Sequence, residues 1–263
     1  MAKPKITCIV QARTNNSRLP RKLLLTLGDK TVIQYLIERL KKSKKIHSLI
    51  IATTSNKLDN KICTISKKKK VQIFRGSENN VLKRYYECAK KYKSSIVVRV
   101  TADCPFIDVK YVDELINFFK KNDYDYVSNV DINYLPDGFH CEIFSFEALR
   151  QSFKSARTNF DKEHVTPYIW KNPNLFKIKY FKGKKLKNFS NKIRLTLDYY
   201  EDYILIKKIF DNLYPKNKYF TLKQILNFLE KNKEIKMINK KFVNLQWIKF
   251  HSKRYKKIIK NKK

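Results

Sequence analysis

The chain has 263 residues, 43% of them apolar, which suits one large domain or two small ones with a sizeable core. Lys and Arg number 59 against 23 Asp and Glu, a formal charge of +36. The excess is mostly Lys in a chain rich in Asn, Ile, Tyr and Phe and poor in Gly. That pattern indicates AT-rich coding more than a groove-reading surface with clustered Arg, so the charge speaks for attraction of anions and for no particular fold.

The elements alternate over the first 130 residues. "KITCIV" (5–10), "SLIIATT" (48–54), "VQIF" (71–74), "SIVVRV" (95–100) and "DYVSN" (125–129) are predicted strands. The first, second and fourth carry continuous apolar runs, as strands of a parallel sheet buried on both faces do. Between them, "TVIQYLIERLKKS" (31–43) sets Val32, Ile33, Leu36, Ile37 and Leu40 on one helical face, with Thr31 as N-cap. "NVLKRYYECAKKY" (80–92) and "VKYVDELINFFKK" (109–121) follow the same period, and Asp108 precedes the latter as its cap. Strands separated by helices predict a doubly wound α/β sheet.

After residue 130 the rhythm changes. "FHCEIFSFEAL" is predicted to run from strand to helix, "FKIKYF" (176–181) and "IRLTLD" (193–198) to be strands, and "YEDYILIKKIFDNLY" (200–214) and "LKQILNFLEKN" (222–232) to be helices. The expected organisation is one domain over 1–232, with a β-rich subregion at 130–190 for substrate and dimer contacts. A weakly ordered basic tail is expected over 233–263, with one helical stretch near "FVNLQWIKF". Five scattered cysteines without a CxxC pair read as reduced core residues of a cytoplasmic protein. The apolar start is too short for a signal peptide, and no run approaches the ~18 apolar residues of a membrane span.

In a parallel α/β sheet ligands bind beyond the carboxyl ends of the strands, which gathers the loops at 11–30, 54–57, 75–79, 101–108 and after 198 on one rim. The first of these, "QARTNNSRLPRK", holds Arg13, Arg18, Arg21 and Lys22 and no acid. Four glycines in the whole chain build neither a Walker A loop nor a GxGxxG fingerprint. Side chains, and backbone amides that bend without glycine, must therefore hold any phosphate here, with Arg as a fork and Lys as a point charge. A solvated basic loop explains the same residues. Asp103, past the strand in "RVTADCPFID", and Asp198, closing "RLTLD", are carboxylates at strand ends where one Mg²⁺ could be shared, since Mg²⁺ takes one or two carboxylates and completes its shell with phosphate and water. Each also has an ordinary capping role available.

"QARTNNSRLPRKLL" resembles the QARxxSxRLPxKxL signature of the cytidylyltransferases that activate sugars, among them the CMP-Kdo and acylneuraminate synthetases and the spore coat polysaccharide biosynthesis protein F group. "RGSENNVLKRYYECA" is similar to that group's RGSxxDVLxRYxxAA, "RVTADCPFID" to RxTGDCPxID, "DKEHVTPYIWKNP" to REHVTPYI-xxxP, and "RLTLDYYEDY" to LTxDxxEDx. The matches run in order from about residue 6 to 210. The resemblance implies a GT-A/Rossmann-like nucleotidyltransferase fold, three-layered with a mostly parallel mixed sheet, and a homodimer. It also implies transfer of CMP from CTP to a small acidic sugar or related acceptor, with Mg²⁺ and release of pyrophosphate. Carried onto this chain, Gln11, Ala12 and Arg13 approach the nucleotide, and Ser17, Arg18 and Lys22 hold the triphosphate. Gly76, Ser77, Leu82 and Arg84 line the base and ribose, and Asp103 and Asp198 bind metal. The catalytic set is Arg18, Lys22 and Asp103. The chain departs from the pattern at Asn15, Arg21 and Ala102, where Gly is usual, and at Asn80, where Asp is usual. Asn15 is expected to keep the backbone path by tolerating positive φ.

Two other functions fit parts of the sequence. The GT-A fold also serves glycosyltransferases, which carry a DxD metal motif; "DYD" (123–125) has that form but precedes a strand. The basic tail suits a non-catalytic binder of nucleic acid, or contact with an anionic membrane surface.

Overall fold

A computed structural model describes residues 4–129, 135–181 and 193–245. The apolar run after Lys5 forms β1 (Ile6–Gln11), buried from Ile6 to Val10. A small hairpin, β2 (Thr26–Leu27) and β3 (Lys30–Thr31), leads into α1 (Val32–Leu40). Thr31 caps α1 in a reciprocal box with Gln34. The chain continues through β4 (Ser48–Thr54), α2 (Asn60–Lys68), β5 (Gln72–Gly76), α3 (Val81–Lys91), β6 (Ile96–Thr101) and α4 (Val109–Lys121). Then come β7 (Tyr126–Ser128), β8 (Glu142–Ser145), α5 (Phe146–Ser155), α6 (Asn159–His164), α7 (Pro167–Lys171) and β9 (Ile178–Tyr180), followed by α8 (Tyr200–Leu213), α9 (Leu222–Lys231) and α10 (Lys233–Lys236).

Seven strands make one mixed sheet in the order β5-β4-β1-β6-β8-β7-β9. β5, β4, β1 and β6 are parallel, β8 runs against both its neighbours, and β7 pairs parallel with β9. The strand faces alternate between two cores. Cys8, Val10, Ile51, Val98 and Val100 pack with residues of α1, α4, α8 and α9, whereas Ile9, Ile50, Ala52 and Val97 pack with residues of α3, α5 and α7. Each buried Val or Ile among them contributes about 1.5–3 kcal/mol, which holds the parallel strands between two helical layers. The expected α/β sheet, mostly parallel, is therefore the observed one.

Several expectations need correction. The segment 193–198 is not a sheet strand among the described residues; it makes a single bridge, Asp137 to Arg194, because its partners are loops. The described residues of the 130–190 region form β8 and β9 but also α5, α6 and α7, so helix outweighs strand among them. The segment after 232 begins with α10 and a 3₁₀ stretch at Lys240–Leu245, in which Val243 is buried. The predicted helical stretch near 242–250 falls from residue 246 onward outside the described residues. The cysteines are free, and four of the five are buried. No helix among the described residues is long and apolar enough to cross a membrane.

Candidate active site

The loop after β1 is fixed by one buried carboxylate. Asp59 Oδ1 accepts from Thr14 N at 2.7 Å and Thr14 Oγ1 at 2.6 Å. Its Oδ2 accepts from Thr53 Oγ1 at 2.8 Å, Thr54 N at 3.1 Å and Thr54 Oγ1 at 2.5 Å. Burial alone would push this carboxyl up; the hydrogen bonds from Thr14, Thr54 and Thr53 outweigh it and hold the group below the ordinary carboxylate range. The loop then returns on itself, with Arg21 N donating to Thr14 O at 3.1 Å. Arg21 adopts φ 56° and its side chain is exposed; Asn15 is not among the positive-φ residues. The left-handed turn thus falls at Arg21, not at Asn15 as expected, and delivers Lys22 inward to a buried position.

A second loop, after β6, is equally constrained. Arg39 on α1 is buried and donates to the carbonyls of Phe106, Ile107 and Phe220, while Asp108 caps α4 and also accepts from Leu222 N at 3.1 Å. Asp108 therefore takes the cap, and Asp103 is left for other partners. The third segment, 193–198, is stitched to the others by its backbone. Leu195 N donates to Asp137 O and Leu197 N to Asp103 O, both at 2.8 Å. Gly138 (φ 104°) permits this approach: a Cβ there would stand 2.6 Å from the Leu195 carbonyl.

These segments converge on Lys22. Its Nζ lies 3.1 Å from Asp103 Oδ2 and 2.9 Å from Asp198 Oδ1. Two aspartates ninety-five positions apart in the chain thus share one ammonium, so their oxygens are separated by no more than two hydrogen-bond lengths. Arg18 Nη2 also reaches Asp198 Oδ1, at 2.9 Å, and its guanidinium lies 5.4 Å from the Tyr199 ring centroid. Burial would pull the Lys22 ammonium down, but Asp103 and Asp198 raise it above its usual value. The same pairing holds Asp198 well below the carboxylate range against burial, with Lys22 the main cause and Arg194 and Arg18 adding.

Behind Asp198 stands Arg194, which donates to Asp198 Oδ2 at 2.5 Å, to Asp137 Oδ2 at 3.1 Å and to Asp202 Oδ1 at 3.3 Å. Asp137 sits among carboxylates; burial, with Asp103, Asp198 and Asp202 adding and Arg194 opposing, raises its carboxyl to about 6.

The other predicted residues divide. Ala12 continues the ladder by donating to Ala52 O at 3.1 Å, and Gln11 closes β1 with its Oε1 buried and lacking a hydrogen-bond partner among the described residues. Arg84 packs beside Gly76, where a Cβ would meet its Cγ at 3.1 Å, and donates to Ser77 O at 2.7 Å. Burial, with the charge of Arg13 adding, draws the Arg84 guanidinium down. Ser17 is exposed, and Leu82 belongs to the core on the α3 face. Ala102 is buried, and Asn80 caps α3 through Lys83 N at 2.8 Å. "DYD" lies apart: Asp123 pairs with Lys177, and Asp125 accepts from Lys177 N.

A family model described as cytidylyltransferase matches residues 7–242. The chain belongs to the cytidylyltransferase family. Members of that family are nucleotidyltransferases, and the enzyme class expected from the motifs stands. Among relatives, the uncharacterized protein MJ1063 of Methanocaldococcus jannaschii is 42% identical over 238 residues, 89% of this chain and 94% of that protein. The spore coat polysaccharide biosynthesis protein SpsF of Bacillus subtilis is 30% identical over 78% of this chain and 86% of its own. A solved cytidylyltransferase from Leptospira borgpetersenii superposes with a TM-score of 0.83 at 33% identity, covering 89% of this chain and 97% of that one.

Asp59, Asp137 and Arg194 were not singled out from sequence. Arg194 had a signal, since Arg194, Thr196 and Asp198 alternate with the core residues Leu195 and Leu197. Asp137, in "PDG", looks like any turn aspartate.

Proposed function

We propose that this cytidylyltransferase transfers CMP from CTP to a sugar acid or related acceptor with release of pyrophosphate. The observation that carries the reading is the shared position of the Lys22 ammonium between Asp103 and Asp198. A basic loop and two carboxylates meet where a metal–triphosphate would need them.

The donor chemistry fits Mg²⁺. Two hard carboxylates face one cation position, and no cluster of three or more such ligands occurs among the described residues, so the remaining ligands must come from substrate and water. When bound by Asp103 and Asp198, Mg²⁺ would supply charge neutralisation at the α-phosphate and activation of the acceptor oxygen. The chain's own part follows from its charges. Arg18 and Lys22, now on Asp198 and Asp103, turn to the triphosphate as it enters and neutralise the charge that grows on the leaving pyrophosphate. Arg194 keeps Asp198 ionised and oriented. Gln11, Ala12, Arg13, Ser17, Gly76, Ser77 and Arg84 face the nucleotide, with Leu82 supporting from the core. The attack is an in-line displacement and needs no covalent nucleophile.

The name of the SpsF relative supports activation of a sugar for polysaccharide. The test is pyrophosphate release with each of the four nucleoside triphosphates against a panel of acidic and neutral sugars. Release that requires CTP, Mg²⁺ and one acceptor class is expected; release indifferent to the base, or none with CTP, overturns the proposal.

A further inference from the structure

We infer that the short segment Asn239–Phe242, which follows α10, is part of the working site: it positions Asp198 and Arg18. The inference rests on the nucleotidyltransferase reading above and adds residues to it.

Asn239 is 1% exposed. Its Nδ2 donates to Asp202 Oδ1 at 2.7 Å and to Arg194 O at 2.9 Å. Asp202 is fully buried, and its Oδ2 in turn accepts from the backbone N–H groups of Asp198 and Tyr199, both at 3.0 Å. One side-chain amide thus fixes the carboxylate that shapes the turn bearing Asp198, and the backbone of the arginine that grips Asp198 Oδ2. Removing a group that orients a metal-binding carboxylate commonly costs about 10–100-fold in metal affinity.

Three residues on, the Phe242 ring stacks on Tyr199 with centroids 3.9 Å apart and planes 2° from parallel. Tyr199 is the ring beside which the Arg18 guanidinium lies. Stacking restrains Tyr199, and Tyr199 restrains a long, half-solvated arginine that must otherwise lose its rotamer freedom on meeting phosphate. Lys241 Nζ pairs with Glu201 at 2.5 Å, which ties the segment to the first turn of α8. The family match also extends to residue 242, beyond the point where the composition turns into a basic tail.

Asn239 and Phe242 are positioning residues, since neither touches the reacting atoms. The full-length chain is compared with Asn239→Ala, Phe242→Ala and Phe242→Tyr, by calorimetric titration of CTP over a range of Mg²⁺ concentrations, by pyrophosphate-release kinetics and by thermal melting. Asn239→Ala is expected to raise the Mg²⁺ needed for half-maximal CTP binding by about tenfold. Phe242→Ala is expected to weaken CTP binding about threefold, raising KM more than it lowers kcat, and Phe242→Tyr to restore it. Folded Asn239→Ala and Phe242→Ala proteins with wild-type CTP affinity and Mg²⁺ dependence overturn the inference. Should Asn239→Ala not fold, the two Phe242 variants decide it. Wild-type protein that binds no CTP with Mg²⁺ overturns the functional reading itself, and this inference with it.

Discussion

Replacing Lys22 with Met keeps an unbranched apolar stem and removes the terminal ammonium, which separates the two parts the residue plays. The Lys22 side chain is 8% exposed, that of Asp198 18% and that of Asp103 29%. The pairing lies between an exposed ion pair, worth at most about 1 kcal/mol, and a fully buried one, whose rupture costs about 3–5 kcal/mol. Asp198 keeps Arg18 and Arg194, whereas Asp103 loses its one ion-pair partner among the described residues. A loss of about 2 kcal/mol is expected in metal-free buffer, which for a chain of this size is a fall in Tm of about 4–8 °C. The carboxylates left facing each other should then draw Mg²⁺ more strongly, so Mg²⁺ restores more of the variant's Tm than it adds to the wild type. Turnover should nonetheless fall by about 10²–10³, because the charge aimed at the leaving pyrophosphate is gone. Melting with and without Mg²⁺ and pyrophosphate release with CTP measure the two effects. Wild-type turnover, or equal stabilisation of both proteins by Mg²⁺, refutes the reasoning.

Two further outcomes follow from the buried acids. Asp59→Asn removes a charge that five hydrogen bonds converge upon; it should loosen the loop carrying Arg13 to Lys22 and raise KM for CTP more than it lowers kcat, and an unchanged KM in a folded variant contradicts that. Asp137 carries the opposite sign to Asp59 and Asp198. Its carboxyl is raised from 3.8 to about 6, so the folded state binds more protons than the unfolded state in that interval and stability declines as pH rises through it. Asp137→Asn abolishes this decline, and its Tm relative to wild type should climb from pH 4 to pH 7 in metal-free buffer; a constant difference across that range counts against the assignment. Asp59 and Asp198, both depressed, contribute stability that is full above the ordinary carboxylate range and lost as pH falls through their folded values.

Much of the sheet was legible because the strands at 5–10, 48–54 and 95–100 carry apolar residues on both faces and alternate with amphipathic helices, as a covered parallel sheet requires. The caps Thr31 and Asp108 were legible because local chemistry decides them. What escaped was set by distant partners. α2 carries only Ile62, Cys63 and Ile65 as apolar residues among its lysines, too few for a period to stand out. The segment 193–198 alternates as a strand does, yet its hydrogen bonds go to Asp103 and Asp137, which no local pattern could name. Lys22 was picked out for its charge, but its burial depends on the left-handed turn at Arg21, a conformation that the sequence of an arginine does not advertise. Asn239 was hidden for a simpler reason: it lies in a stretch whose lysines look like solvated tail.

The stitching of Leu197 to Asp103, and of Asn239 to Arg194 and Asp202, bears on how the protein comes into being on the ribosome. The parallel strands and their helices can collapse early from neighbours in the chain, but the rim of the candidate site is closed by its most remote contacts, which carry the largest loop-closure cost. A nascent chain that stops short of Asp198 would present Asp103 beside an ammonium with no second carboxylate and no brace behind it. Competence to handle nucleotide should therefore arrive abruptly, once Asp198 and Asn239 have been made, and not in proportion to the length already made.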